Sequence, residues 1–286
     1  MPLLDTNLRT PSQLNGYEIL ANCQPLAIPF PRFNIIKLEE QRALFREALL
    51  EDRPFFLSLE EAEVYPGQEA FPLREMPLYI PRRDFLNIIG NELGDEEFMS
   101  PFYQAMLARE ERIGVRKNPE SPKVSNMEGH YLPMAVAGAR LANVLDLPAR
   151  DGEVGFDEKK FLPILGLKHD VVEDGIFTLT EIAEVKSPLT NNHLFDAVDT
   201  LTRQKQGEEA TFSAKRALYQ AYGQKIAGHK FAKLLVPMKW ADISASCLQD
   251  LLNDCSMPVE YVLKQMTVLQ AMGNTIMRAA GLRLAA

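Results

Sequence analysis

The chain has 286 residues, 46% hydrophobic and 24% charged, which fits one large globular core or two modest ones and excludes a disordered chain. A formal charge of -8 and a pI near 5.2 argue against a broad footprint for DNA or RNA, so an anionic ligand needs a local cationic device. The three cysteines, Cys23, Cys247 and Cys255, form no CxxC and read as free thiols of a reducing compartment.

The start, Met1-Pro2-Leu3-Leu4-Asp5, lacks a basic stretch followed by an apolar one. No apolar run approaches the roughly 18 residues of a membrane span. A cytoplasmic protein without membrane contact is expected, with signal-independent export left open. Residues 1–35, with Pro25, Pro29 and Pro31, read as an irregular arm laid on the surface or round a partner. Leu38, Leu44, Phe45, Ala48 and Leu49 recur at helical spacing and predict a helix over 37–52. Residues 55–59 and 71–80, broken by Pro66, Pro72, Pro77 and Pro81, read as short strands or extended loops. Two helices are expected between Arg82 and Ile113, parted near Gly94-Asp95, the second starting at Ser100-Pro101. Residues 116–126 (RKNPESPKVSN) are the best linker or loop. Helices are expected beyond it over 128–145, 157–173, 179–185, 193–202, 208–229, 230–254 and 258–282, with a charged, glycine-bearing loop at 146–155. The expected fold class is mainly α: a helical part over 106–286, preceded by a region 1–105 of mixed or irregular structure and unknown role.

The chemistry concentrates in LGLKHDVVEDG, residues 165–175. On a helix, His169 and Asp170 flank one point in space, and Glu173 lies on the same face a turn later. Asp174 repeats that relation to Asp170. Burying so many ionisable groups is costly unless they are paired or hold a cation, and a divalent metal is the simplest explanation. His130 opens another helix, whose Met134, Val136, Leu141 and Val144 face a core. Asp242 sits deep in an apolar helix, just after Lys239-Trp240-Ala241. Two imidazoles and two carboxylates form a mixed N/O set suited to Mn²⁺, with Fe²⁺ or Zn²⁺ as alternatives. Trp240 reads as core, and His193 and His229 as surface or capping residues. Glu173 and Asp174 also fit a turn before Gly175, Lys239 a snorkelling side chain, and Arg203 a solvated charge. The apolar stripe Val262, Leu263, Met266, Val268, Leu269, Met272 and Ile276 packs on the core or forms a dimer face.

Five segments in one order carry a family resemblance: His130 to Ala137 (HYLPMAVA), Leu167 to Asp174 (LKHDVVED), Thr178 to Ile182, Ala197 to Arg203, and Lys239 to Asp242. Together they resemble the HD superfamily of metal-dependent phosphohydrolases, and within it the RelA/SpoT-type hydrolase domains and their small stand-alone relatives. The likeness covers roughly residues 110 to 255. It implies an HD-domain helical bundle in which His130, His169, Asp170 and Asp242 ligate one metal, typically Mn²⁺. It further implies that Glu173 and Asp174 orient or deprotonate a water, and that Arg203 and Lys239 neutralise phosphate oxygens. Arg116 and Lys123 loosely match the segment that grips the nucleotide base. The implied activity is removal of pyrophosphate from the 3′ position of a guanosine alarmone. A phosphatase or phosphodiesterase for another nucleotide, or a nucleotide sensor or scaffold without turnover, stands as the alternative. Ile243-Ser244-Ala245-Ser246 lacks the asparagine usual after the metal-binding aspartate. The partner expected is a nucleotide, with region 1–105 open to a protein partner or a second copy.

Overall fold

The computed structural model describes residues 35–58, 73, 75–95, 97–115, 124–145, 157–184, 191–203, 212–253 and 259–279. The arm, the loop at 146–155, Cys23, Cys255, Arg116 and Lys123 lie outside the described residues.

The first described element is helix α1 (Ile35–Leu50), which turns Phe45, Ala48 and Leu49 of the expected stripe inward and leaves Leu44 exposed. Strands β1 (Phe55–Ser58) and β2 (Glu75–Tyr79) pair antiparallel, with Leu57 opposite Met76 and a register shift between Phe55 and Phe56. Pro77 sits in β2, and a two-stranded sheet tolerates it because both strands are edges. Helix α2 (Arg82–Leu93) ends at Gly94, and α3 (Ser100–Leu107) starts with Pro101, where a missing N–H does no harm. A bridge pairs Val115, just before the expected polar loop, with Ser125 near the end of that loop.

A π-helical turn, Met127–Tyr131, then leads into α4 (Leu132–Val144). It is followed by α5 (Glu158–Lys168), α6 (Leu179–Glu184), α7 (Asn191–Leu201), α8 (Phe212–Ala227), α9 (Ala232–Leu252) and α10 (Val259–Ala279). The described residues are therefore mainly helical, with one small sheet. Helix α9 is buried all round and touches α1, β2, α4, α5, α7, α8 and α10. That is the place expected of a helix apolar on every face. Trp240 is fully buried, as a core residue.

Helices α4 and α5 pack backbone against backbone. A Cβ on Gly166 would stand 2.2 Å from the Met134 carbonyl oxygen, and one on Gly138 would stand 2.6 Å from that of Leu162. Only glycine allows this approach, and it brings the start of α4 beside the end of α5. Leu57, Met76, Leu78 and Phe85 belong to the same continuous core as Tyr131, Leu165 and Trp240. The stripe on α10 packs inward through Met266, Val268, Leu269 and Met272, against α8 and α9. No helix among the described residues is long and apolar enough to cross a membrane.

One expected boundary is corrected. The helix predicted over 157–173 stops at Lys168, and residues 169–175 form successive turns. The His169 side chain explains the stop: its Nδ1 donates to the Gly166 carbonyl at 2.8 Å, an acceptor that a continuing helix would give to the Asp170 N–H.

Candidate metal centre

Three separate devices bring the four expected ligands together. The π-helical turn presents His130, the turn after α5 presents His169 and Asp170, and α9 presents Asp242 from its middle. One nitrogen or oxygen from each residue lies within 4.8 Å of all the others. His169 Nε2 is 3.4 Å from Asp170 Oδ2 and 3.3 Å from Asp242 Oδ1. His130 Nε2 is 3.4 Å and 3.7 Å from the same two oxygens.

These separations suit a shared ion. Two ligands each about 2.1 Å from a metal lie about 3.0 Å apart at a right angle and about 3.4 Å apart at a tetrahedral one. The tautomer suits it as well. A carbonyl only accepts, so His169 Nδ1 carries the proton given to Gly166, and Nε2 is the nitrogen that faces the cluster. His169 is 1% exposed, and its Nε2 and the Asp170 Oδ1 are buried without a hydrogen-bond partner. Such orphaned atoms are costly unless something else satisfies them. The residues present therefore fit a divalent cation.

The electrostatics show how strongly the two carboxylates draw positive charge. Burial opposes a charge on His169, but Asp170 and Asp242 outweigh it and push its pKa up to about 10. Burial likewise works against the Asp170 carboxylate, yet His169 and Lys239 hold its pKa well below the usual range. Asp242 is lowered too, its burial overcome chiefly by Lys239. Lys239 Nζ lies 2.7 Å from Asp242 Oδ2 and 3.9 Å from Asp170 Oδ1, on the side of these carboxylates away from the imidazoles. Its own pKa rises well above the ordinary value, burial being outweighed by Asp242, Tyr222 and Asp170.

A cleft of about 170 Å³ opens beside the cluster. Asp170, Asp242, Glu173, Arg203 and Lys239 line it, joined by Tyr222 from α8 and by Tyr261, Lys264, Gln265 and Val268 from α10. Ser246 lies where the expected asparagine is missing, and it also faces the cleft. Glu173 is engaged by Arg203, whose Nη2 is 2.5 Å from Oε1. Asp174 does not line the cleft; it accepts the Tyr131 hydroxyl, and burial and that carboxylate raise the tyrosine's pKa. Of the two acidic residues expected to handle a proton, Glu173 is thus the one at the cleft. His229 caps a turn, its Nδ1 accepting the Phe231 N–H at 3.1 Å, and His193 packs edge-on against the same Phe231.

Sequence reading missed Tyr222, Tyr261 and Lys264. Lys264 is pulled down to about 8 by burial and by the nearby Arg203 and Lys239. Its Nζ lies 5.5 Å from the Tyr261 ring centroid, within cation–π range. A lysine and a tyrosine three positions apart on one helix face were the available signal. Comparison of the chain with protein-family models, with curated proteins and with solved structures finds no match.

Proposed function

We propose that this chain is a metal-dependent phosphohydrolase acting on a nucleotide, with an HD-type helical bundle and with the 3′-pyrophosphate of a guanosine alarmone as its favoured substrate. One observation carries the reading: a buried cluster of two histidines and two aspartates opens onto a cleft with three cationic side chains, Arg203, Lys239 and Lys264. Acids alone at that place would repel a phosphate. Acids that hold a divalent ion, beside lysine and arginine, attract one.

His130, His169, Asp170 and Asp242 would hold the ion, Mn²⁺ by preference with Fe²⁺ or Zn²⁺ as alternatives. When bound, such an ion polarises a phosphoryl oxygen and makes water ionise near neutral pH. The other steps belong to side chains. Lys239 fixes the outer oxygen of Asp242, Arg203 and Lys264 take up phosphate charge, and Glu173 accepts the water's proton once a phosphate draws Arg203 away. Asp174 acts at one remove, by fixing Tyr131 beneath the cluster.

A second reading, a nucleotide sensor without turnover, is favoured by the Arg203–Glu173 ion pair, which neutralises the base. A nucleotide panel with Mn²⁺, followed by ion-exchange chromatography of released phosphate and pyrophosphate, separates the two. Pyrophosphate from guanosine 3′-pyrophosphates, and none from a Glu173→Ala variant, is the expected result. Phosphate from monophosphates alone would remove the alarmone and keep the chemistry. Binding with no product would leave the sensor.

A further inference from the structure

Pro133, at the start of α4, has no N–H, so the turn before it lacks a donor. In an α-helical pattern that N–H would serve the Gly129 carbonyl, and in a π-helical pattern the Glu128 carbonyl. Both are satisfied from elsewhere. The Ile80 N–H, just past β2, donates to the Glu128 carbonyl at 3.0 Å, and Gln249 Nε2 donates to that of Gly129. The same amide nitrogen donates to the Leu78 carbonyl on β2. An NH₂ group with two hydrogens therefore meets two carbonyls. Gln249 is 2% exposed and lies on α9, about two helical turns beyond Asp242. The carbonyl it holds belongs to the peptide whose nitrogen is that of His130.

We propose that Gln249 is a positioning residue of the metal centre. It pins the Gly129–His130 peptide to β2, which sets His130 Nε2 against Asp170 and Asp242 and makes the N-terminal hairpin part of the centre's support. The inference rests on the metal reading above.

The test uses the full chain carrying Gln249→Met, which keeps the length and removes both donors. Two readouts are taken at a temperature where circular dichroism finds wild type and variant folded. One is Mn²⁺ affinity, by paramagnetic resonance of the free ion. The other is the imidazole carbon–proton spectrum of the metal-free protein, which has only four histidines to resolve. Mn²⁺ binding weakened about 10- to 100-fold, with the His130 signal moved and those of His193 and His229 in place, is the expected result. Unchanged affinity with an unmoved His130 signal overturns the proposal. If Gln249→Met fails to fold, Pro133→Ala serves, because it offers the turn a competing helical donor: a moved His130 signal supports the clamp and an unmoved one overturns it. Wild-type protein that binds no Mn²⁺ would overturn the metal reading, while the His130 signal would still judge the clamp.

Discussion

Lys168 is 1% exposed, and its Nζ has no hydrogen-bond partner; it sits 3.8 Å from the centroid of the Phe177 ring, which Arg109 also covers at 4.6 Å. A cation over a ring gains about 2 kcal/mol when desolvated, less than the cost of burying the charge. Burial, helped by Arg109, accordingly lowers its pKa to about 7. The unfolded chain binds this proton up to the ordinary lysine value of 10.5, so between about 7 and 10.5 it holds more protons than the folded one. Stability therefore rises with pH across that window, by at most about 1.4 kcal/mol per pH unit from this group. Below pH 7 both states are protonated and the full penalty of the buried charge remains. Lys168→Met is expected to be more stable than wild type at pH 6, with the gap closing toward pH 10. Urea unfolding at a series of pH values measures it, and a gap independent of pH would contradict the assignment. Neighbouring residues were more legible than this one. His130, His169, Asp170 and Asp242 stood out in the sequence because ionisable groups inside apolar runs need a reason to be there. Lys264 and Tyr261 did not, because an exposed lysine and a lipped-over one look the same until the opposite wall is known.

At the scale of elements, the centre depends on how closely α4 and α5 approach. A methyl group on Gly166 would meet the Met134 carbonyl oxygen at 2.2 Å and its carbon at 2.7 Å, both backbone atoms that cannot swing aside. Gly166→Ala should destabilise the fold by about 3 kcal/mol and part His130 from His169. Thermal or urea unfolding with a loss under about 0.5 kcal/mol would show that the helices are not locked here. Amphipathic spacing announced most helices to within a few residues, because each buries a continuous stripe. Two local features broke that logic. Periodicity carried the 157–173 helix through His169, since no spacing rule knows that this imidazole takes the Gly166 carbonyl for itself. The π-helical turn around His130 also escaped, because it follows from Pro133 and from distant donors, the Ile80 N–H just past β2 and Gln249 on α9.

Over the whole molecule, the described part of region 1–105 shares a continuous core with the helices that follow it. Two of its groups reach the turn bearing His130: the Ile80 N–H, and Arg82, whose Nε lies 3.5 Å from Glu128. The hairpin and α2 thus contact the turn bearing His130 and do not line the cleft. Long-range contacts of this kind leave no periodic mark, which is why no role for region 1–105 is legible in the sequence. Buried α9 is the common axis: it supplies Asp242 and Lys239 to the centre and Gln249 to its support. The proposed chemistry requires four side chains from three parts of the chain to hold one divalent ion. The direct measurement is Mn²⁺ stoichiometry by equilibrium dialysis on wild type and Asp170→Ala, with circular dichroism to verify that both are folded. One ion per wild-type chain and none on the variant is predicted. Equal binding by the two folded proteins, or none by wild type, would contradict it.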